Sequence, residues 1–195
     1  MTFAHELPTP GAAEEHAVRI AGAVPVIETH RLRLRAPALA DFPAFAEIAM
    51  GPRSAGIGGP MPREVAWAEF MQMTATWILR GHGWWTVEHR TDAAVLGFVG
   101  LGFEPGDHEP ELGYMATESS EGKGFVFEAC RAAMEHARSA LGLTTLVSYV
   151  DRKNTRSARL AERLGAARDA EAEALLDPED TAFVYRHDLA KGRLQ

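Results

Sequence analysis

Apolar residues recur along this chain at two periods, and their order predicts the elements. Leu32 and Leu34 alternate with Arg31, Arg33 and Arg35, the period of two of a half-buried strand. Asp41 reads as the N-cap of a helix to about Met50, with Phe42, Phe45, Ile48 and Ala49 on one face. Gly51 to Pro60 has no periodicity and reads as loop. Pro62 opens a second helix to about Arg80, with Val65, Phe70, Met73, Trp77 and Ile78 as its apolar stripe. Strands are predicted at Trp84 to Glu88, Ala94 to Gly102 and about Glu109 to Ala116. A helix after Gly122 runs to Leu141, Thr144 to Val150 is strand-like, and Asn154 to Leu164 is helical. Two weaker strands, Ala167 to Leu175 and Ala182 to His187, finish the chain.

The order is therefore β-α-α-β-β-β-α-β-α-β-β. Short turns join the early strands and helices join the later ones, which predicts an α/β protein with a mixed sheet covered by helices on both faces. Residues 1–25 are rich in Ala, Pro, Gly and Glu and read as a tail or as an extra helix near Ala12 to Ile20. Residues 26–190 then make a single domain.

Composition narrows the function classes. A length of 195 residues suits one domain, and 46% apolar with 24% charged residues is ordinary for a globular chain. The longest uncharged apolar stretch, Ala93 to Phe103, has 11 residues, against about 20 needed to cross a bilayer. Neither a membrane span nor a secretory signal is expected. A single cysteine, Cys130, gives no internal disulfide and fits a cytoplasmic protein in which it is a core residue. Twenty basic against 27 acidic residues, a net charge of −7, argues against a broad cationic face for nucleic acid. None of the eight histidines has a partner at zinc-ligand spacing, so no metal is expected. Trp84 and Trp85 alternate on a strand, one for the core and one facing an acceptor pocket. His89 and His108 read as solvent-facing.

Candidate chemistry concentrates in Glu111 to Glu128, ELGYMATESSEGKGFVFE. A strand ends, a polar loop follows, and Gly122-Lys123-Gly124 opens a long helix. Helix N-termini offer unpaired N–H groups to phosphates, glycines allow close approach, and Lys123 adds a cation. A plain tight loop before a helix has the same appearance. A Walker A loop would need glycine at Thr117 and Ser or Thr at Gly124; a dinucleotide fingerprint would need a third glycine. Both are excluded. A second cluster is Asn154-Thr155-Arg156-Ser157, where Asn154 can cap a helix and Ser157 lies one turn on; an N-cap with a solvated serine is the alternative.

ELGY followed by a GKG turn and a later NxxSxxLxxxLG helix, with ETHRLRLR, GWWTVEH and VLGFVGL in matching positions, resembles the GNAT superfamily of acyl-CoA-dependent N-acetyltransferases. Within it, the chain is similar to the branch of ribosomal-protein N-terminal (alanine/serine) acetyltransferases, from about Val26 to Leu189. The resemblance implies a mixed, mostly antiparallel sheet and acetyl-CoA as acyl donor, with no metal. It implies that Gly122, Lys123, Gly124, Phe125 and Val126 hold the pyrophosphate, and that Met115, Ala116 and Thr117 pair with the pantetheine arm alongside Asn154. Glu111 matches the acid that takes a proton from the attacking amine. Ser157 matches the hydroxyl that returns one to the departing thiolate, with Tyr114 and Tyr149 as rivals. The acceptor is a primary amine, a protein N-terminus being one candidate, and the assembly a monomer or homodimer.

This chain departs from the family's turn by carrying Glu121 and Val126 where Gln or Arg and Gly or Ala are usual. Glu121 puts a negative charge near a pyrophosphate, which Lys123 offsets in part. The alternative function is a non-catalytic acyl-CoA-binding or regulatory module on the same fold.

Overall fold

The computed structural model describes residues 3–177 and 181–190. Its strands are β1 (Ile27–Glu28), β2 (Leu32–Arg35), β3 (Trp84–His89), β4 (Val95–Gly102), β5 (Glu111–Ala116), β6 (Thr145–Asp151), β7 (Ala167–Arg168) and β8 (Ala182–Asp188). They form one open sheet in the order β1-β2-β3-β4-β5-β6-β8-β7. Every neighbouring pair is antiparallel except β5 with β6, so the expected mixed sheet is present. Its helices are α1 (Ala12–Ala21), α2 (Phe42–Met50), α3 (Arg63–Arg80), α4 (Phe125–Ser139), α5 (Thr155–Arg163) and the single turn α6 (Ala170–Glu173).

The alternation of each strand separates two cores. Leu32, Leu34, Trp85, Val99, Leu101, Leu112 and Leu146 meet Ala129, Cys130, Ala133, Met134 and Ala137 of α4 on one face. On the other, Trp84 and Phe98 meet Phe42, Phe45 and Ala49 of α2 and Ala66, Phe70 and Met73 of α3. Cys130 is thus a core residue, and burial pushes its thiol up. Trp84 and Trp85 are both buried, one in each of the two cores.

Four expectations are corrected. Val65 and Ile78 of α3 are exposed, because the buried stripe runs Ala66, Phe70, Met73 and each of those two sits about 100° off it. Asp41 makes no side-chain cap on α2; its carboxylate turns back to Arg35, the Ala38 N–H and Thr86. The Gly51 to Pro60 loop holds a 3-10 turn over Pro52–Ile57. The strand predicted from Ala167 to Leu175 stops at Arg168, where Asp169 accepts from the Ala172 N–H at 3.0 Å and opens α6. Ala-Glu-Ala-Glu favours that helical turn over a strand. At the N-terminus α1 does form, with no buried residue. The chain before it is strapped to α3 by Arg63, which donates to Glu6 at 2.7 and 2.9 Å.

Gly97 in β4 keeps the sheet closed beneath β5. Its φ is +154°, and a Cβ there would stand 2.2 Å from the Met115 carbonyl oxygen and 3.0 Å from the Ala116 Cα. Backbone atoms cannot step aside as a side chain can. Gly97→Ala is expected to cost about 2 kcal/mol and to lower Tm by about 4–8 °C, read by calorimetry.

Candidate active site

The sheet opens between its two parallel strands. The β5–β6 ladder has one paired position, Glu111 with Val147, where the Val147 N–H donates to the Pro110 carbonyl at 3.1 Å. Past it the strands part. Each then leads into a helix, β5 into α4 and β6 into α5, so two helix N-termini flank the gap at the carboxyl ends of the parallel strands. In open α/β sheets that is where ligands bind.

The α4 start has the features of an anion-binding helix N-terminus. Gly122 and Gly124 take φ of +69° and +77°, a left-handed conformation cheap only for glycine. Gly124 occupies the N-cap position and no side chain caps the helix, which leaves first-turn N–H groups, Phe125 and Val126 among them, for a ligand. The turn is held from below. Thr29 and the Arg31 N–H donate to Glu128 at 2.6 and 2.9 Å, Arg31 Nε adds a contact of 2.7 Å, and Arg31 also donates to the Lys123 carbonyl at 3.0 Å. Its guanidinium lies 4.5 Å from the Phe125 ring centre. Arg31 and Glu128 were not singled out by sequence reasoning. The signal available was an arginine beginning the β2 alternation and an acid in the first turn of a helix.

Both departures in the turn have partners in the structure. Glu121 is paired with Arg53 and Arg156, so its charge is met by two arginines, neither of them the Lys123 of the sequence reading. Val126 packs, half-buried, against the α4-side core. Of the predicted pantetheine strand, Met115 and Ala116 lie in β5 past the last paired position with β6. Thr117 is buried, and both its N–H and its hydroxyl donate to the Leu96 carbonyl, at 3.0 and 3.2 Å. It shapes the bend and has no N–H left to offer.

Glu111 and Ser157 lie on opposite faces of β5. Glu111 Oε1 accepts the Tyr149 N–H at 3.4 Å. Burial, and then the charges of Asp107 and Glu104, push the Glu111 carboxyl up to about 8. Ser157 is joined to one of its rivals: the Tyr114 hydroxyl is 2.7 Å from Ser157 Oγ and also donates to the Ser157 carbonyl at 3.1 Å. Burial pushes the Tyr114 phenol up, which keeps it protonated beside Ser157 Oγ. Tyr149 instead accepts from the His108 N–H at 3.3 Å, and burial raises its phenol too. Asn154 caps α5 as expected, accepting from the Ser157 N–H at 3.1 Å. The 3-10 turn at Gly56 lies against its amide, since a Cβ there would be 2.4 Å from Asn154 Nδ2. His89 is 3.1 Å from Asp92 and stacks edge-on to Phe125; His108 is exposed. Among the described residues no group of three or more His, Cys, Asp or Glu could hold a metal ion, and no helix is long and apolar enough to cross a membrane.

A mixed sheet split between two parallel strands, with an uncapped glycine-flanked helix start at the split, defines an α/β protein with its candidate ligand site at the split. The model of the acetyltransferase (GNAT) domain matches residues 31–167, so the chain belongs to the GNAT acetyltransferase family, whose members carry out acetyl-CoA-dependent acetyl transfer. An acetyltransferase from Agrobacterium tumefaciens str. C58 is 37% identical over 85% of this chain and 95% of its own, with a TM-score of 0.78. The fold is shared at lower identity by a Salmonella typhimurium acetyltransferase that modifies the N-terminal serine of ribosomal protein L7/L12. That likeness is 17% identity, TM-score 0.67, over 84% of this chain and 99% of the other. A ribosomal L7/L12 α-N-protein acetyltransferase in complex with coenzyme A shows the same fold at 18% identity and a TM-score of 0.64, over 84% and 98% of the two chains.

Proposed function

We propose that this protein is an N-acetyltransferase that moves the acetyl group of acetyl-CoA to a primary amine by direct attack. The observation that carries the reading is the raised Glu111 carboxyl beside the opening of β5 from β6, across the strand from the Tyr114–Ser157 hydroxyl pair. The acyl donor supplies an activated thioester carbonyl. N–H groups at the α4 start hold its phosphates, with Gly122, Lys123 and Gly124 shaping the turn. Met115, Ala116 and Asn154 line the arm's path. Glu111 takes the proton of the amine, a task suited to a base whose pKa is close to working pH. Ser157, backed by Tyr114, returns a proton to the sulfur. A protein N-terminus heads the acceptor panel because the Salmonella relative acts on one.

The test is binding followed by turnover. Coenzyme A at a hundredfold excess over its Kd should add about 2.7 kcal/mol of stability, read as a rise in Tm, and thiol release should appear with an amine from a panel that includes peptide N-termini. Ser157→Ala and Tyr114→Phe are each expected to lower kcat about tenfold, and the double variant hardly further, since the hydroxyls act as one unit. Tight coenzyme A binding without turnover on any amine would instead make the protein a binding module.

A further inference from the structure

The parting of β5 from β6 has a specific cause in two side-chain hydrogen bonds, one accepted by Glu111 of the catalytic group and one donated by Ser148, which lies outside it and is itself held by His187. In a parallel ladder with the Val147 N–H on the Pro110 carbonyl, the next bond on that side would join the Tyr149 N–H to the Leu112 carbonyl. The single Tyr149 proton is diverted from it, and one of the two lone pairs of the Leu112 carbonyl is already engaged. The Tyr149 N–H is taken by Glu111 Oε1 at 3.4 Å, and the Leu112 carbonyl accepts from the Ser148 hydroxyl at 2.8 Å. Ser148 has spent its only proton there, so the His187 ring 3.1 Å away must donate to it from Nε2. His187 Nδ1 is then a bare acceptor, and it is the one buried side-chain nitrogen or oxygen among the described residues without a partner. Ser148 and His187 are 2% and 1% exposed, and burial holds the imidazole down to about 4, in the neutral form this relay needs. A buried histidine with an unmet nitrogen costs stability; a valine in its place would pack the strand pair without that cost.

We propose that Ser148 and His187 are positioning residues that intercept the ladder between β5 and β6 and so set the width of the slot in which the acyl donor's pantetheine arm lies. The inference rests on the acetyl-CoA reading of the site. Without the Ser148 hydroxyl, the Leu112 carbonyl recovers a donor only if the Tyr149 N–H swings across from Glu111, which adds a rung and narrows the gap.

Crystal structures of unliganded wild type, Ser148→Ala and Ser148→Thr should be compared, together with coenzyme A affinities by calorimetry and a split of KM from kcat. Ser148→Ala is expected to show the Tyr149–Leu112 bond, coenzyme A binding about tenfold weaker, and a KM for acetyl-CoA raised about tenfold with kcat changed less than threefold. Ser148→Thr keeps the hydroxyl and His187→Gln keeps a donor at the Nε2 position; both should stay within about twofold of wild type. A protein that is merely less stable would show neither the split nor the rescue. Should Ser148→Ala fail to fold, Ser148→Cys, whose thiol is a far weaker donor, carries the same comparison. An unchanged gap in the unliganded variant, or an affinity within twofold of wild type, overturns the proposal. Wild type that binds no coenzyme A overturns the reading of the site, while the unliganded structures still judge the interception.

Discussion

Glu111→Gln is expected to lower kcat/KM for acetyl transfer by about 10²–10³-fold and to remove an ionisation near pH 8 from the rate profile. The magnitude is that of losing one positioned acid–base group. The sign follows from the carboxyl's raised pKa of about 8, caused by burial and then by Asp107 and Glu104. Only the deprotonated form can accept the amine proton, so wild-type kcat/KM should climb as pH rises and level off above about 8. An acceptor whose own amine pKa lies well below 7 isolates this limb. With it, the glutamine variant should be flat over the same range. Stability gives a second reading of the same ionisation. A carboxyl raised from 4.5 to about 8 on folding contributes stability that is present below its unfolded pKa and is lost as pH rises from about 4.5 to 8. Glutamine does not titrate, so the variant should gain on wild type in Tm between pH 5 and pH 8. A wild-type rate profile with no limb near 8, or a variant within threefold of wild type, would remove Glu111 from the reaction.

Local sequence patterns carry the elements around the candidate site better than the contacts that support it. Strand and helix periods placed β2 to β5, α4, β6 and α5 in order because each buries one regular face, and the Asn154 cap was legible because its partner is three residues away. Contacts between residues distant in sequence left no such local trace. Asp41 fits the pattern of a helix cap, yet its carboxylate is claimed by Arg35 and Thr86, which only the β2–β3 pairing brings near. Glu121 reads as a charge that Lys123 offsets only in part, because Arg53 and Arg156 lie 68 and 35 positions away from it along the chain. The pairing of Tyr114 with Ser157 joins two residues that had been rivals, through a strand and a helix that meet only in the folded sheet. Ser148 and His187 sat within plain strand patterns, where a small polar residue and a histidine carry no signal until their facing strands are known.

The largest loss of stability is expected from Asp41→Ala, about 3–5 kcal/mol, because it strips a buried charge cluster of its central partner. The Asp41 side chain is 3% exposed. Oδ2 accepts from Arg35 at 2.7 Å, from the Ala38 N–H at 2.8 Å and from the Thr86 hydroxyl at 2.8 Å, while Oδ1 accepts from Arg35 at 2.9 Å. Arg35 also donates to Glu88 at 2.6 Å, so one guanidinium ties the end of β2 to β3 and to the turn before α2. Alanine leaves that guanidinium with Glu88 as its one carboxylate partner, beside the Ala36 carbonyl it meets at 3.1 Å, and leaves the Thr86 hydroxyl and Ala38 N–H with no acceptor, each a further desolvation cost. For a chain of this size the loss corresponds to a fall in Tm of roughly 6–20 °C. Asp41→Asn keeps an oxygen for Ala38 or Thr86 and should cost less than alanine. Joining Asp41→Ala to Arg35→Met removes the stranded charge, so the double variant should be more stable than the sum of the singles predicts. The tie lies under the face where α2 packs against Trp84, whose ring would meet a Cβ at Gly113 at 2.4 Å. Loss of the anchor therefore loosens the layer that backs β5. Below its melting transition, Asp41→Ala should still bind coenzyme A within about threefold of wild type, because none of its partners borders the gap between β5 and β6. Additive losses in the double variant would mean that Asp41 and Arg35 stabilise the fold independently.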